Sequence, residues 1–185
     1  SWILKNFEEQ NVMKAFTDNV VSPEELEMMA EINEMFKDLS VWLDTYAEIV
    51  YVADYFAKDV TGGAELTSDA ILQKCPYPCK SFYSSSLTKE DIDANKDSFW
   101  VFGNASGVKD NVLLYAAKHL NYGVLEYDYK YCKYRSPDKH IFFEKECNCQ
   151  EQSRGKITSV FFSKAKSLWF MSAKQKERSE ERRVG

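Results

Sequence analysis

Val124-Leu125-Glu126-Tyr127-Asp128-Tyr129-Lys130-Tyr131-Cys132-Lys133-Tyr134 alternates apolar or aromatic residues with charged or polar ones. Leu125, Tyr127, Tyr129 and Tyr131 fall on one side of an extended chain, and Glu126, Asp128, Lys130 and Cys132 on the other. A period of two is what a strand with one covered and one wet face requires. The stretch therefore reads as the clearest strand in the chain and points to an antiparallel sheet.

Working outward, Phe99 and Val101, then Val112-Leu113-Leu114-Tyr115, read as a hairpin across the Gly103-Asn104-Ala105-Ser106-Gly107 turn, and Asn121-Tyr122-Gly123 marks a further turn. On the other side, Ser136-Pro137-Asp138-Lys139 reads as a turn, followed by strands over His140 to Cys147, Ile157 to Phe162 and Leu168 to Ala173. Four to six antiparallel strands are expected, on the order that short runs between turn signals imply.

The N-terminal half reads differently. Ser22-Pro23-Glu24-Glu25 places a hydroxyl at a helix N-cap, proline at the first helical position and glutamate at the third. From there Leu26, Met29, Ile32, Phe36, Leu39, Leu43 and Tyr46 recur every three or four residues, with Glu27, Glu31, Glu34 and Asp38 on the other face. Asn6 to Val20 reads as a short amphipathic helix or an irregular arm. Glu48 to Lys58 reads as a continuation of the long helix, with a first strand as the alternative because Val50 and Val52 are β-branched; Gly62-Gly63 closes it either way. Ala64 to Ser98 is expected to be a long connection tied down by Cys75 and Cys79, holding one helix start at Thr88 with Asp91 three residues on.

The expected fold is α+β, N-terminal helices packed on a curved antiparallel β-sheet, as one domain over residues 1–177. A helix followed by such a sheet with an aromatic interior resembles the NTF2-like cone folds in layout, across about residues 22–173. Asp128-Tyr129-Lys130-Tyr131-Cys132 is similar to a strand of the tick salivary lipocalins, in which a cysteine follows an aromatic strand near the cavity of a barrel; the lipocalin Gly-x-Trp signature is absent. Arg178 to Gly185 resembles the translation of a sequencing adapter, so 178–185 is expected to be a non-native tail, with the natural sequence stopping near Glu177.

A formal net charge of −5 argues against a nucleic-acid surface, which collects lysine and arginine on one face. No apolar run approaches the ~18 to 20 residues of a membrane span. Five cysteines, Cys75, Cys79, Cys132, Cys147 and Cys149, read as disulfide candidates in a secreted protein, with the 75/79 loop joined to the later cysteines and the pairing open. Asn104-Ala105-Ser106 is a glycosylation sequon that agrees with secretion. Cys132, Cys147 and Cys149 with His119 or His140 have the right chemistry for zinc, but Cys147-Asn148-Cys149 is too close to form a Cys-x-x-Cys knuckle, so disulfides are expected and no metal. Cys75-Pro76-Tyr77-Pro78-Cys79 resembles the glutaredoxin Cys-Pro-Tyr-Cys site with one residue too many, and reads as two structural half-cystines.

No Gly-rich phosphate loop, Gly-x-Ser-x-Gly elbow or His-Glu-x-x-His sequence is present, and neither histidine has a nucleophile beside it in sequence. Enzyme hypotheses lack a starting point, and no cofactor is expected. The tyrosine-rich strand either fills a core or lines a pocket. The functional expectation is a binding protein that takes a small hydrophobic or amine ligand in an aromatic pocket of Tyr127, Tyr129, Tyr131, Phe142 and Trp169. The alternative is a secreted interaction module or effector, with Trp100 or Trp169 exposed toward a protein partner.

Overall fold

Ile49-Val50-Tyr51-Val52-Ala53 is buried at every position. A strand covered on both faces has no reason to alternate, and this one, β1, stands inside a sheet rather than continuing a helix. The computed structural model describes residues 23–43, 46 and 48–170. The expected arm over 6–20 and the tail over 178–185 lie outside them.

The same continuous burial marks β3 (Phe99–Phe102) and β4 (Tyr122–Glu126), while β2 (Cys79–Tyr83) and β5 (Ser167–Phe170) form the two edges. All four pairings are parallel, in the order β2-β1-β3-β4-β5. Parallel neighbours need a crossover between them, and helices supply it. Helix α1 (Pro23–Leu43) precedes β1, and α2 (Gly63–Lys74) joins β1 to β2. Helix α3 (Lys89–Ala94) lies between β2 and β3, and α4 (Asp110–His119) between β3 and β4. Between β4 and β5 the chain forms α5 (Pro137–Glu144), a 3₁₀ turn over Cys149–Glu151 and α6 (Ser153–Lys164).

This is a doubly wound α/β arrangement, and it overturns the antiparallel α+β expectation together with the cone and barrel layouts. Val112–Tyr115, His140–Glu144 and Ile157–Phe162, expected as strands, are helical. Their short apolar runs do not distinguish a strand from a buried helix segment. In the quoted stretch the strand ends at Glu126. Beyond it the backbone folds on itself: the Tyr129 amide donates to the Arg135 carbonyl at 3.1 Å, Cys132 to Tyr129 at 3.1 Å and Arg135 to Cys132 at 2.9 Å.

Local chemistry was read correctly where it was strongest. Thr88 accepts from the Asp91 amide at 3.1 Å while Asp91 accepts from the Thr88 amide at 2.9 Å, a complete capping box that starts α3. Ser136, expected in a turn, caps α5 instead, accepting from the Lys139 amide at 3.3 Å with Pro137 at the first helical position.

Successive residues of a strand face opposite sides, so the core divides in two. On one face Val50, Val52, Trp100, Phe102, Tyr122 and Val124 pack against Ile92 of α3, Val112, Leu113 and Ala116 of α4, and Phe161 and Phe162 of α6. On the other, Ile49, Tyr51, Phe99, Val101, Leu125 and Trp169 pack against Ile32 and Met35 of α1 and Ile71 of α2. Both tryptophans expected at an exposed contact are inside: Trp100 stacks on Phe82 and Phe102, and Trp169 donates to Asp38 at 2.8 Å.

Gly123 in β4 lies directly under the Trp169 ring, which a Cβ at position 123 would overlap. Gly123→Ala is expected to lower stability by about 1 to 3 kcal/mol, the usual cost of overpacking a core. Urea unfolding checks this, and Trp169→Leu in the same chain should recover part of the loss if the ring is the obstacle.

Candidate ligand site at the carboxyl edge of the sheet

In an open parallel sheet, ligands bind beyond the carboxyl ends of the strands, near the point where the strand order reverses. Here the chain passes from β1 out to β2 and returns to β3, so the reversal lies between β1 and β3. Asp54 follows β1 there and draws several loops together. It accepts from the Ser106 amide at 3.2 Å, the Gly107 amide at 3.0 Å and the Ser84 and Ser106 hydroxyls, and Arg135 Nη2 stands 3.6 Å away. Burial works against ionisation of Asp54, but the donors from Ser106, Ser84 and Gly107 outweigh it and hold the carboxyl below its ordinary value.

Arg135 completes this clasp from the β4–α5 loop. It binds Asp128 at 2.8 Å and adopts φ 58°, a left-handed conformation that a non-glycine residue keeps only where its surroundings demand it. Below it, Glu126 closes β4 as a buried carboxylate. The Lys130 amide donates to it at 3.2 Å and Lys130 Nζ stands 3.4 Å from the same oxygen, leaving Oε2 without a hydrogen-bond partner among the described residues. Burial raises the Glu126 pKa, only partly offset by the Lys130 charge.

A cavity of about 200 Å³ opens over the ends of β3 and β4. Its floor is apolar, from Phe102, Leu113, Val124, Phe161 and Phe162. Its rim carries Lys130, Lys133, Arg135 and Arg154 and, among the described residues, no carboxylate. Arg154 is anchored by Asp110, by the Val108 carbonyl at 3.0 Å and by the Ser106 carbonyl at 3.4 Å. Each rim cation is ion-paired, Lys130 with Glu126 and Lys133 with Glu144 at 2.7 Å, which fixes its position.

The five residues expected to line one pocket are dispersed. Tyr129 and Tyr131 join the α4–α6 core face with ring centroids 5.5 Å apart, and only Tyr131 touches the cavity. Tyr127 turns to the opposite face, its hydroxyl 2.9 Å from that of Tyr51 and 3.1 Å from Ser68. Burial pushes the Tyr51 and Tyr127 hydroxyls above their ordinary value. Trp169 lies on that opposite face too, and Phe142 is 81% exposed on α5. The rim cations and Asp54 were missed; the one available signal was that Asp54, Gly103 and Glu126 end or follow continuous apolar runs.

All five cysteines are free thiols, which overturns the disulfide expectation and removes its argument for secretion. Cys75 and Cys79 interact with each other, the Cys79 thiol holding Cys75 below its ordinary value. The Asn104 sequon sits in the clasp: Asn104 Oδ1 is buried, the Ser106 hydroxyl is taken by Asp54, and no glycan is supported. Cys132, Cys147, Cys149 and His140 converge, their sulfur and ring-nitrogen atoms all within 4.8 Å of one another. His119 is elsewhere, its ring tilted against that of Tyr115 with centroids 4.2 Å apart.

The folded pKa of Asp54 lies below its unfolded value of about 3.9, so its stabilisation is complete above that pH and is lost as pH falls through the folded value. Asp54→Asn should cost about 1 to 3 kcal/mol at neutral pH, since it removes the charge that the buried Ser84 hydroxyl and the Ser106 and Gly107 donors hold. It should also flatten the fall in stability on the acid side of pH 4, read by denaturant unfolding across a pH series. The chain matches no protein-family model, no curated protein and no solved structure with which it was compared.

Proposed function

We propose that this chain is a doubly wound α/β binding domain that takes a small organic anion at the carboxyl edge of its sheet. The observation that carries this reading is the cavity over β3 and β4, with an apolar floor and, among the described residues, four cations but no carboxylate on its wall. Arginine and lysine held by ion-pair partners offer their remaining donors to carboxylate or phosphate oxygens, and the floor suits an apolar or aromatic moiety. At about 200 Å³ the space suits a metabolite-sized ligand, below the roughly 300 to 1,000 Å³ of drug-sized sites. The charge of the rim favours an anion over the amine expected from the tyrosine-rich stretch.

Exposed Ile141, Phe142 and Phe143, consecutive on α5, support a second reading as a contact for a partner protein. Titration calorimetry with inorganic phosphate, pyrophosphate and nucleoside monophosphates distinguishes the two. Saturable binding to one of these, weakened about tenfold or more by Arg154→Gln and by added salt, is the expected result, since a charge-assisted hydrogen bond contributes about 1.5 to 3 kcal/mol. Absence of heat with every probe would overturn the anion reading and leave the α5 patch as the better supported one.

A further inference from the structure

Three cysteines and one histidine meet in the segment between β4 and α6, beside the cavity. His140 Nδ1 stands 3.4 Å from Cys132 Sγ and 3.4 Å from Cys149 Sγ, and Cys147 Sγ stands 3.8 Å from Cys132 Sγ. A tetrahedron with metal–sulfur bonds of about 2.3 Å and metal–nitrogen bonds of about 2.0 Å has sulfur–sulfur edges near 3.8 Å and sulfur–nitrogen edges near 3.5 Å. These three spacings match those edges, and all four ligand atoms lie within 4.8 Å of one another. The 3.8 Å between the Cys132 and Cys147 sulfurs is nearly twice the ~2.05 Å of a disulfide.

The surroundings have the form of a metal site. His140 Nε2 is 2.9 Å from Glu144 Oε2, one helical turn along α5. That carboxylate places the imidazole proton on Nε2 and leaves the Nδ1 lone pair facing the three sulfurs, the arrangement in which metal-bound histidines are held. Glu144 is itself positioned by Lys133 Nζ at 2.7 Å and the Tyr134 hydroxyl at 2.8 Å. The Lys133 backbone amide points at Cys149 Sγ from 3.5 Å, a donor suited to a thiolate. Cys132, His140 and Cys149 are buried and Cys147 is half-buried.

We propose that Cys132, His140, Cys147 and Cys149 bind a structural zinc ion. Zn²⁺ enters as the three thiols lose their protons to solvent, giving a closed set of three thiolates and one neutral imidazole with a net charge of −1, offset by Lys133 nearby. Four protein ligands leave no open position, so the ion holds structure and supplies no catalysis. Its structural task follows from the fold. Residues 127–152 leave the sheet after β4, and within them α5 exposes Ile141, Phe142 and Phe143. Zinc ties the start of this excursion at Cys132 to its end at Cys149, and both of these cysteines are also on the cavity wall.

The test uses the full 185-residue chain, expressed with zinc in the medium and purified under reducing conditions without chelator. Elemental analysis should return one zinc per chain. Removing the metal under denaturing conditions and refolding with Co²⁺ should give the visible bands of tetrahedral thiolate-bound cobalt, which one equivalent of Zn²⁺ abolishes. Cys147→Ser and His140→Ala should bring the retained zinc from one equivalent to none measurable after dialysis against a chelator, while Cys75→Ser stays at one. Should the variants fail to fold, the cobalt spectrum of the unsubstituted chain decides alone. A metal-free protein whose unfolding midpoint ignores added zinc would overturn the proposal, as would a Cys132–Cys147 disulfide in the non-reduced chain or stoichiometric iron in place of zinc.

Discussion

Burial of β1, β3 and β4 from both sides is the constraint on which the molecule depends. Every residue of Ile49–Ala53, Phe99–Phe102 and Tyr122–Glu126 is withdrawn from water, so helices must cover both faces of the sheet. That demand explains two separate core clusters rather than one. It also explains the aromatic composition: Trp100, Phe102, Tyr122 and Phe161 pack in stacked and edge-on pairs with centroids 4.6 to 5.9 Å apart, filling the space between sheet and helix. Buried polar atoms on these rings are satisfied in place, as where the Tyr122 hydroxyl donates to the Phe161 carbonyl at 2.6 Å.

A parallel sheet sends all its strand ends one way, and the loops that leave them meet at one edge. Polar chemistry in this chain concentrates there. Asp54, Glu126 and Lys130 are charged groups withdrawn from bulk water, each held by neighbours on the same or an adjacent loop. Asp54 gathers Ser84, Ser106, Gly107 and Arg135 around one carboxylate, and so fixes the β2–α3, β3–α4 and β4–α5 connections relative to one another. Connections held this way present a preformed surface, and a preformed site binds without first ordering its own side chains.

The Cys/His group and the cavity share a wall, and a charge logic joins them. Cys132 and Cys149 face the same space as Lys130, Arg135 and Arg154. Lys133 links the two regions directly, its amide against Cys149 and its ammonium on the Glu144 that orients His140. Order in the 127–152 excursion is therefore a condition for both.

Some of this was legible in the residues alone. Thr88 and Asp91 announced a capped helix and Pro23 a helix start, because hydrogen-bonding chemistry belongs to the side chain itself, whereas Cys132, Cys147 and Cys149 with His119 or His140 read as disulfides and no metal, because sequence spacing does not show which of them meet. The alternation of Val124 to Tyr134 misled, since a period of two describes a strand only where a neighbouring strand pairs with it, and Tyr127 and Tyr129 instead part to opposite faces of the sheet. Strand direction, the meeting of Asp54 with Arg135 and the convergence of three cysteines on one imidazole were decided by the tertiary structure. Each joins residues whose separation along the chain carries no record of distance, and only the packing of helices on both faces of a parallel sheet brings them within reach.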